Sequence, residues 1–323
     1  MIFSAICDLV LDIYYDEKLN YIGCDGGITA ANLVVNLSSF GFNTKCYGVC
    51  GNDSYGKLAI KSLKDCKVKA DIKKLSSINT RAYHIRRIDV NGKLCFRSIK
   101  YCPFCKKSSW YEDSLIYEKD ILKKINDNEI LIFDNLNIKN QYIINNTDNL
   151  KLLDLGLYDD LENLSNLEII SKLNNNFEII NLNQRVEKFL IERLNLKDDL
   201  ELLKIINCKL LIITRGVEGC DLIYRNKKYT YPLKKIEEEI DDSGAGDLFF
   251  ATIIKNWAMN NFKITSNKFN KWVREASKNS SKIVQLIGSR RLIKDLYRNK
   301  LNKNCKCGGL RWTKNFILTL MVS

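Results

Sequence analysis

Four short apolar runs, residues 130–133 (ILIF), 151–155 (KLLDL), 177–182 (FEIINL) and 209–214 (KLLIIT), are separated by stretches with helical periodicity such as 184–194 (QRVEKFLIERL). Continuous apolar runs of strand length, rather than alternating ones, belong to strands buried on both faces, and strands alternating with helices build βαβ units around a parallel sheet. That pattern predicts an α/β fold. In such folds ligands bind beyond the carboxyl ends of the strands. Candidate site residues sit there: Asp12 after the run 9–11, Asp134 after 131–133, and Thr214 at the end of 210–213.

The chemistry is concentrated in Asp241-Asp242-Ser243-Gly244-Ala245-Gly246-Asp247, followed at once by the apolar Leu248, Phe249, Phe250 and Ala251. Small residues let backbone N–H groups approach an anion, and the helix that follows points its positive end at the same place. Asp247 in the first helical turn is placed to take a proton from an acceptor hydroxyl, while the amides of Gly244, Ala245 and Gly246 neutralise charge on a moving phosphoryl group. A plain N-cap by Ser243 or Asp242 is the alternative reading of the motif alone. A second segment, GGITAANLVVNLSSFGFNTKCYGVCGNDSYGKL, begins at Gly26 and carries Gly26, Gly27, Asn32, an apolar helical face, and then Gly48, Gly51, Asp53 and Gly56.

Together these segments, in this order and roughly 200 residues apart within one mid-sized domain, resemble the ribokinase-like (PfkB) carbohydrate kinase family over nearly the whole chain. The resemblance implies a three-layer αβα sandwich with a mostly parallel central sheet and a small β lid. It assigns residues 1–295 to the kinase domain, with lid segments at about 13–25 and 80–105, the second a hairpin turning at Asn91-Gly92. It implies ATP-dependent phosphorylation of a sugar hydroxyl, with nucleoside phosphorylation or a catalytically weak nucleotide- or sugar-binding sensor as alternatives.

Carried over by position, Asp247 matches the base and Gly244, Ala245 and Gly246 the anion hole. Asp12, Gly26, Gly27 and Asn32 match the substrate loop and the acid that holds sugar hydroxyls. For Asp12 a buried structural acid is the alternative. On the nucleotide side the matches are Asn183, Glu187, Thr214, Gly216, Gly219, Asp241 and Asn279. ATP and Mg²⁺ are the implied cofactors, with K⁺ near Asp241 as a further candidate and a homodimer through the lid as the candidate assembly. Two positions depart from the family pattern. Glu187 lies one residue later than the acid of the N-x-x-E motif, a turn of about 100° on a helix. Asp242 stands where a Thr is usual and adds negative charge beside the phosphate path.

The formal charge of +13 is spread along a chain rich in Lys, Asn and Ile and is read as solvated surface lysine, not a nucleic-acid face. Arg81, His84, Arg86, Arg87, Arg97 and Lys100 crowd the lid hairpin, either as a charged edge or as a face toward a phosphorylated substrate. No run reaches the ~18 apolar residues of a membrane span, and a cytoplasmic protein is expected. Of 12 cysteines, eight lie scattered in element patterns as small buried hydrophobes. The pairs Cys102/Cys105 and Cys305/Cys307 form a candidate four-thiolate zinc site that would pin the tail, 296–323, to the lid.

Overall fold

The computed structural model describes residues 1–90, 93–99, 101–105, 117–158, 160–233 and 240–296. In chain order these form β1 (Ile2–Ile6), β2 (Val10–Tyr15), β3 (Tyr21–Gly26), α1 (Thr29–Ser39), β4 (Thr44–Gly51), α2 (Ser54–Asp65), β5 (Lys69–Leu75), β6 (Arg81–Val90) and β7 (Lys93–Ile99). There follow α3 (Glu118–Leu122), β8 (Glu129–Phe133), α4 (Ile138–Asn145), β9 (Lys151–Leu155), α5 (Asn166–Leu173), β10 (Phe177–Asn183), α6 (Gln184–Leu194) and α7 (Asp199–Ile205). The last are β11 (Cys208–Thr214), β12 (Cys220–Tyr224), β13 (Lys227–Tyr231), α8 (Ala245–Met259) and α9 (Phe269–Ile283).

A nine-stranded sheet in the order β13-β12-β11-β10-β9-β8-β1-β4-β5 forms the middle layer. It is parallel from β11 to β5, and β12 and β13 extend it antiparallel. Alternate residues of each inner strand feed opposite cores, which is why the runs read as continuously apolar. Ile130, Ile132, Leu210 and Ile212 pack with α1, α8 and α9 residues such as Leu33, Phe250 and Trp272. Leu131, Phe133, Leu211 and Ile213 pack with Ile143, Ile169, Leu190 and Leu202 of the helices on the other face. Full burial of each such side chain contributes on the order of 1.5–3 kcal/mol, so both helical layers are held chiefly by the sheet.

Local signals set the helix ends. Asn183 caps α6 by accepting from the Val186 N–H, and Asn195 ends it in the left-handed region. Ser165 and Glu168 form a reciprocal capping box on α5. The expected helix at 184–194 coincides with α6.

The second sheet, β3-β2-β6-β7, is built from the segments expected to form the lid. It starts earlier than the expected residue 13: the chain leaves the core at Ile6 and enters the lid at Val10. Between them the Cys7 and Leu9 N–H groups still bond to Tyr47 and Val49 carbonyls of β4. Asp12 is therefore a lid-strand residue and not the tip of a core strand. His84 is buried beside the Tyr15 hydroxyl at 3.0 Å, and burial lowers its pKa to about 4, so near neutral pH it carries no charge toward a phosphate. Arg86 donates to the Glu17 carbonyl, and Arg87 pairs with the Glu17 carboxylate at 3.2 Å. Arg97 of β7 pairs with Asp242 at 3.3 Å.

Candidate active site

Asp247 lies in the first turn of α8, whose N-cap, Gly244, has φ of 78°. A β-carbon there would also lie 2.6 Å from the Ser289 β-carbon, so the turn requires glycine on two counts. Gly246 is exposed and a β-carbon on it would meet nothing within 4 Å, which leaves its backbone open to an approaching anion. Asn32 of α1 donates from Nδ2 to Asp247 Oδ2 at 2.6 Å. Burial raises the Asp247 pKa to about 6, against the lowering effects of Asn32, Arg290 and Thr29.

Asp12 projects from β2 opposite Asp25 of β3. It is buried, and desolvation lifts its pKa to about 7, with Arg290 the largest opposing influence. The Gly26-Gly27 pair has a steric reason on each residue. A β-carbon on Gly27 would sit 2.2 Å from Asp12 Oδ1, and one on Gly26 would sit 2.2 Å from Arg290 Nη1. The Gly26-Gly27 pair thus packs against Asp12 on one side and Arg290 on the other.

Asp241 is buried and occupied by backbone: Oδ1 accepts from the Ser243 N–H at 3.0 Å and Oδ2 from the Gly288 N–H at 2.8 Å. It ties the anion loop to residues 288–290. Asp134 accepts from the Ala30 N–H at 3.1 Å at the start of α1, and burial lifts it to about 7. Asp134 also lines a cavity at the carboxyl edge of the sheet, shared with Cys7, Asp8, Arg81, Asn137 and Lys139. In its wall Lys139 and Asp8 pair at 3.0 Å.

On the nucleotide side Asn183 and Thr214 are register partners on β10 and β11. The Asn183 amide donates to the Gly156 carbonyl at 2.7 Å. The turn beyond Thr214 uses Gly216 and Gly219 at φ of 55° and 112°. Glu187 does not swing toward this turn as a lone acid. Arg215 holds both of its oxygens, at 3.0 and 2.8 Å, and reaches Asp221 at 2.8 Å with its Nε. Lys228 bridges Asp199 and Asp221 at 2.7 and 3.2 Å. No register change at the start of α6 frees Glu187, because the helix is capped by Asn183 as an ordinary helix. Asn279 of α9 donates to the Thr252 hydroxyl of α8 at 3.2 Å, a contact between packed helices.

Asp247, Asn32, the anion loop, Gly26, Gly27 and Asp12 are brought together. The arrangement includes residues that the sequence motifs did not single out: Thr29, Asp154 and above all Arg290. Asp154 interrupts the apolar run of β9 and accepts from Asn181 at 2.8 Å, a polar break that was a readable signal. Arg290 follows the motif-bearing stretch and carries no local mark. For metals, Cys102 is buried and Cys105 half-buried, while Cys305 and Cys307 lie outside the described residues. Among the described residues no three or more His, Cys, Asp or Glu side chains are grouped to hold a metal. Nor is any described helix long and apolar enough to cross a membrane.

Comparison with known proteins bears on the fold and on part of the chain. The family model described as pfkB family carbohydrate kinase matches residues 141–295. No curated protein sequence matches the chain. Among solved structures, a nucleoside kinase of the ribokinase family from Methanocaldococcus jannaschii is similar at 18% identity, over 90% of this chain and 93% of that one, with a TM-score of 0.68. A sugar kinase from Pyrococcus horikoshii in complex with ATP is similar at 18% identity over 89% and 93%, TM-score 0.65. A fructokinase double mutant from Vibrio cholerae, with fructose, ADP and potassium ion bound, is similar at 16% identity over 90% and 94%, TM-score 0.68. The fold is therefore the three-layer α/β architecture of ribokinase-like kinases. The segment 141–295 carries a match to the pfkB family carbohydrate kinase model, and the chain as a whole shares its fold with ribokinase-family kinases.

Proposed function

We propose that the protein transfers the γ-phosphoryl group of ATP to a hydroxyl of a sugar, with Asp247 as the base and the amides of Gly244, Ala245 and Gly246 as the anion hole. The observation that carries this reading is the placement of Asp247: it lies at the N-terminus of α8, is held by Asn32 of α1, and has a pKa raised by burial to about 6. A carboxylate with that pKa is ionised near neutral pH yet basic enough to accept a hydroxyl proton in the transition state. Asn32 donates to one oxygen, Oδ2, and the acceptor hydroxyl would give its proton to the other. Asp12, on the lid strand, can accept from two adjacent hydroxyls of a polyol. Closure of the lid over the acceptor would exclude water, so that the hydroxyl and not solvent attacks in line.

The family implies Mg²⁺, and the acids it would use are engaged otherwise. Asp241 is bonded to two backbone N–H groups and Glu187 to Arg215. These residues do not offer a preformed metal site. Mg²⁺ carried by the nucleotide would supply charge to its phosphates, and the chain's own contribution is the anion hole and the positive end of α8. Residues 183, 214, 216, 219 and 279 are the proposed nucleotide side, and K⁺ near Asp241 is proposed by analogy with the fructokinase. Structural zinc through Cys102, Cys105, Cys305 and Cys307 is a separate proposal. Purified protein without stoichiometric zinc by elemental analysis would end it.

A nucleoside is the alternative acceptor, as in the Methanocaldococcus relative. The capture of Glu187 by Arg215 favours a second reading, a catalytically weak nucleotide or sugar sensor. One experiment separates them: ADP release with Mg-ATP across free sugars, phosphosugars and nucleosides, with Asp247→Asn run beside the wild type. Acceptor-dependent turnover that falls by a factor of about 10² to 10⁴ in the variant, with ATP still bound, supports the kinase. ATP binding without turnover on any acceptor supports the sensor.

A further inference from the structure

Arg290 is 1% exposed, the most deeply buried cation among the described residues. A guanidinium only donates, so each of its contacts dictates the orientation of the acceptor. Its Nε donates to Asn32 Oδ1 at 2.8 Å, its Nη1 to Ser62 Oγ at 2.6 Å and its Nη2 to the Gly27 carbonyl at 3.1 Å. None of these acceptors is a carboxylate. A buried, fully charged group with only neutral hydrogen-bond partners is expensive unless surrounding charge compensates it, and here that charge is the site's own set of acids.

The contact with Asn32 has a consequence for the base. Because Arg290 claims the amide oxygen, the amide nitrogen must face Asp247, where it donates to Oδ2. An Asn free to flip would present either its oxygen or its nitrogen to the carboxylate, and the oxygen would repel it. The same short segment also fixes the anion loop. The Gly288 N–H donates to Asp241, and Ser289 packs against Gly244. Residues 288–290 therefore fasten the anion hole, the substrate loop and the base to one another.

We infer that Arg290 is a positioning residue for the phosphoryl-transfer site: it orients Asn32 toward Asp247, shapes the Gly26-Gly27 loop from beneath, and supplies the buried positive charge set against Asp12 and Asp247. The inference rests on the kinase reading for its meaning in turnover, but its electrostatic part stands on the free protein. The groups facing Asp247 are Thr29 and Asn32 from α1, Asp12 from β2, Asp134 after β8, Asp154 in β9 and Arg290. Asp25 and Asp241 face Asp12, and Lys294 pairs with Asp25 at 2.7 Å. Only Arg290 lies close enough to count among the largest influences on both Asp12 and Asp247, lowering each.

The test is a carbon-13 carboxyl titration of the full chain, with Asp247→Asn to assign the signal, in wild type, Arg290→Gln and Arg290→Lys. In Arg290→Gln the Asp247 midpoint should move up by about one pH unit, a tenfold change in proton affinity. In Arg290→Lys the midpoint should hold while kcat falls on the order of tenfold or more, with KM for ATP unchanged, because an ammonium keeps the charge but loses the fork. An unmoved midpoint in Arg290→Gln overturns the inference. Should that variant fail to fold, Arg290→Lys decides: unchanged kcat and an unchanged Asn32 side-chain amide signal overturn it, and a shifted amide signal supports it. Absence of wild-type turnover on every acceptor would count against the kinase reading, and the titration would still judge Arg290.

Discussion

Asp12 gives the sharpest quantitative test, because the structure makes it costly. Its carboxyl is buried and its pKa lies at about 7 in place of 3.8, while in the unfolded chain it titrates near the ordinary value. Between those two pH values the native state binds a proton that the unfolded state does not. The stability linked to Asp12 is thus fully present below about pH 4 and is lost as pH rises through about 7. At about 1.4 kcal/mol per unit, the shift amounts to about 4 kcal/mol at pH 8. Asp12→Asn keeps the shape and removes the titration, so the variant should gain up to about 4 kcal/mol relative to wild type between pH 4 and pH 8. Unfolding entropy near 2.1 cal/mol/K per residue converts this to a relative rise in Tm of roughly 6 °C for a chain of this size. The assay is the difference in Tm between variant and wild type, by calorimetry or dye fluorescence, at intervals from pH 4.5 to 8.5. The difference should widen with pH even as sugar-dependent activity drops. A flat difference across that range would refute the argument that burial lifts the Asp12 carboxyl.

Other perturbations follow from single contacts. Gly27→Ala puts a β-carbon 2.2 Å from Asp12 Oδ1; kcat/KM for the acceptor should fall on the order of 10²-fold with KM for ATP little changed, and an equal loss for both substrates would argue for general disorder. Arg215→Ala strands Glu187, while Lys228 still holds Asp199 and Asp221, and should cost about 3–5 kcal/mol in urea unfolding; a loss below about 1 kcal/mol would mean that Glu187 is solvated instead. Asp242→Thr breaks an exposed pair with Arg97 and should alter stability by less than about 1 kcal/mol. It should tighten ATP binding, because one negative charge leaves the phosphate path and Arg97 is freed; unchanged affinity would show that Asp242 does not face the nucleotide.

Periodicity and motif spacing were sufficient for the parallel sheet, the span of α6, the lid hairpin and the position of Asp247, since each is encoded within a dozen or so neighbouring residues. Glycine in the Gly26-Gly27 pair and at Gly244 was visible too, but not why glycine is needed there: the clashes are with Asp12, Arg290 and Ser289, far away along the chain. Asp12 read as a core-strand tip because a strand's sequence does not say which sheet it joins; the exit of the chain between Ile6 and Val10 settles that. Glu187 read as a nucleotide-side acid one residue out of pattern, and nothing in α6 announces that Arg215, 28 residues later, will hold both its oxygens. Arg290 reaches Asn32 across 258 residues. Local pattern carries the backbone because hydrogen bonding and hydrophobic faces repeat at short range, whereas the charge state and orientation of the site depend on which groups burial brings together, and only the folded chain decides that.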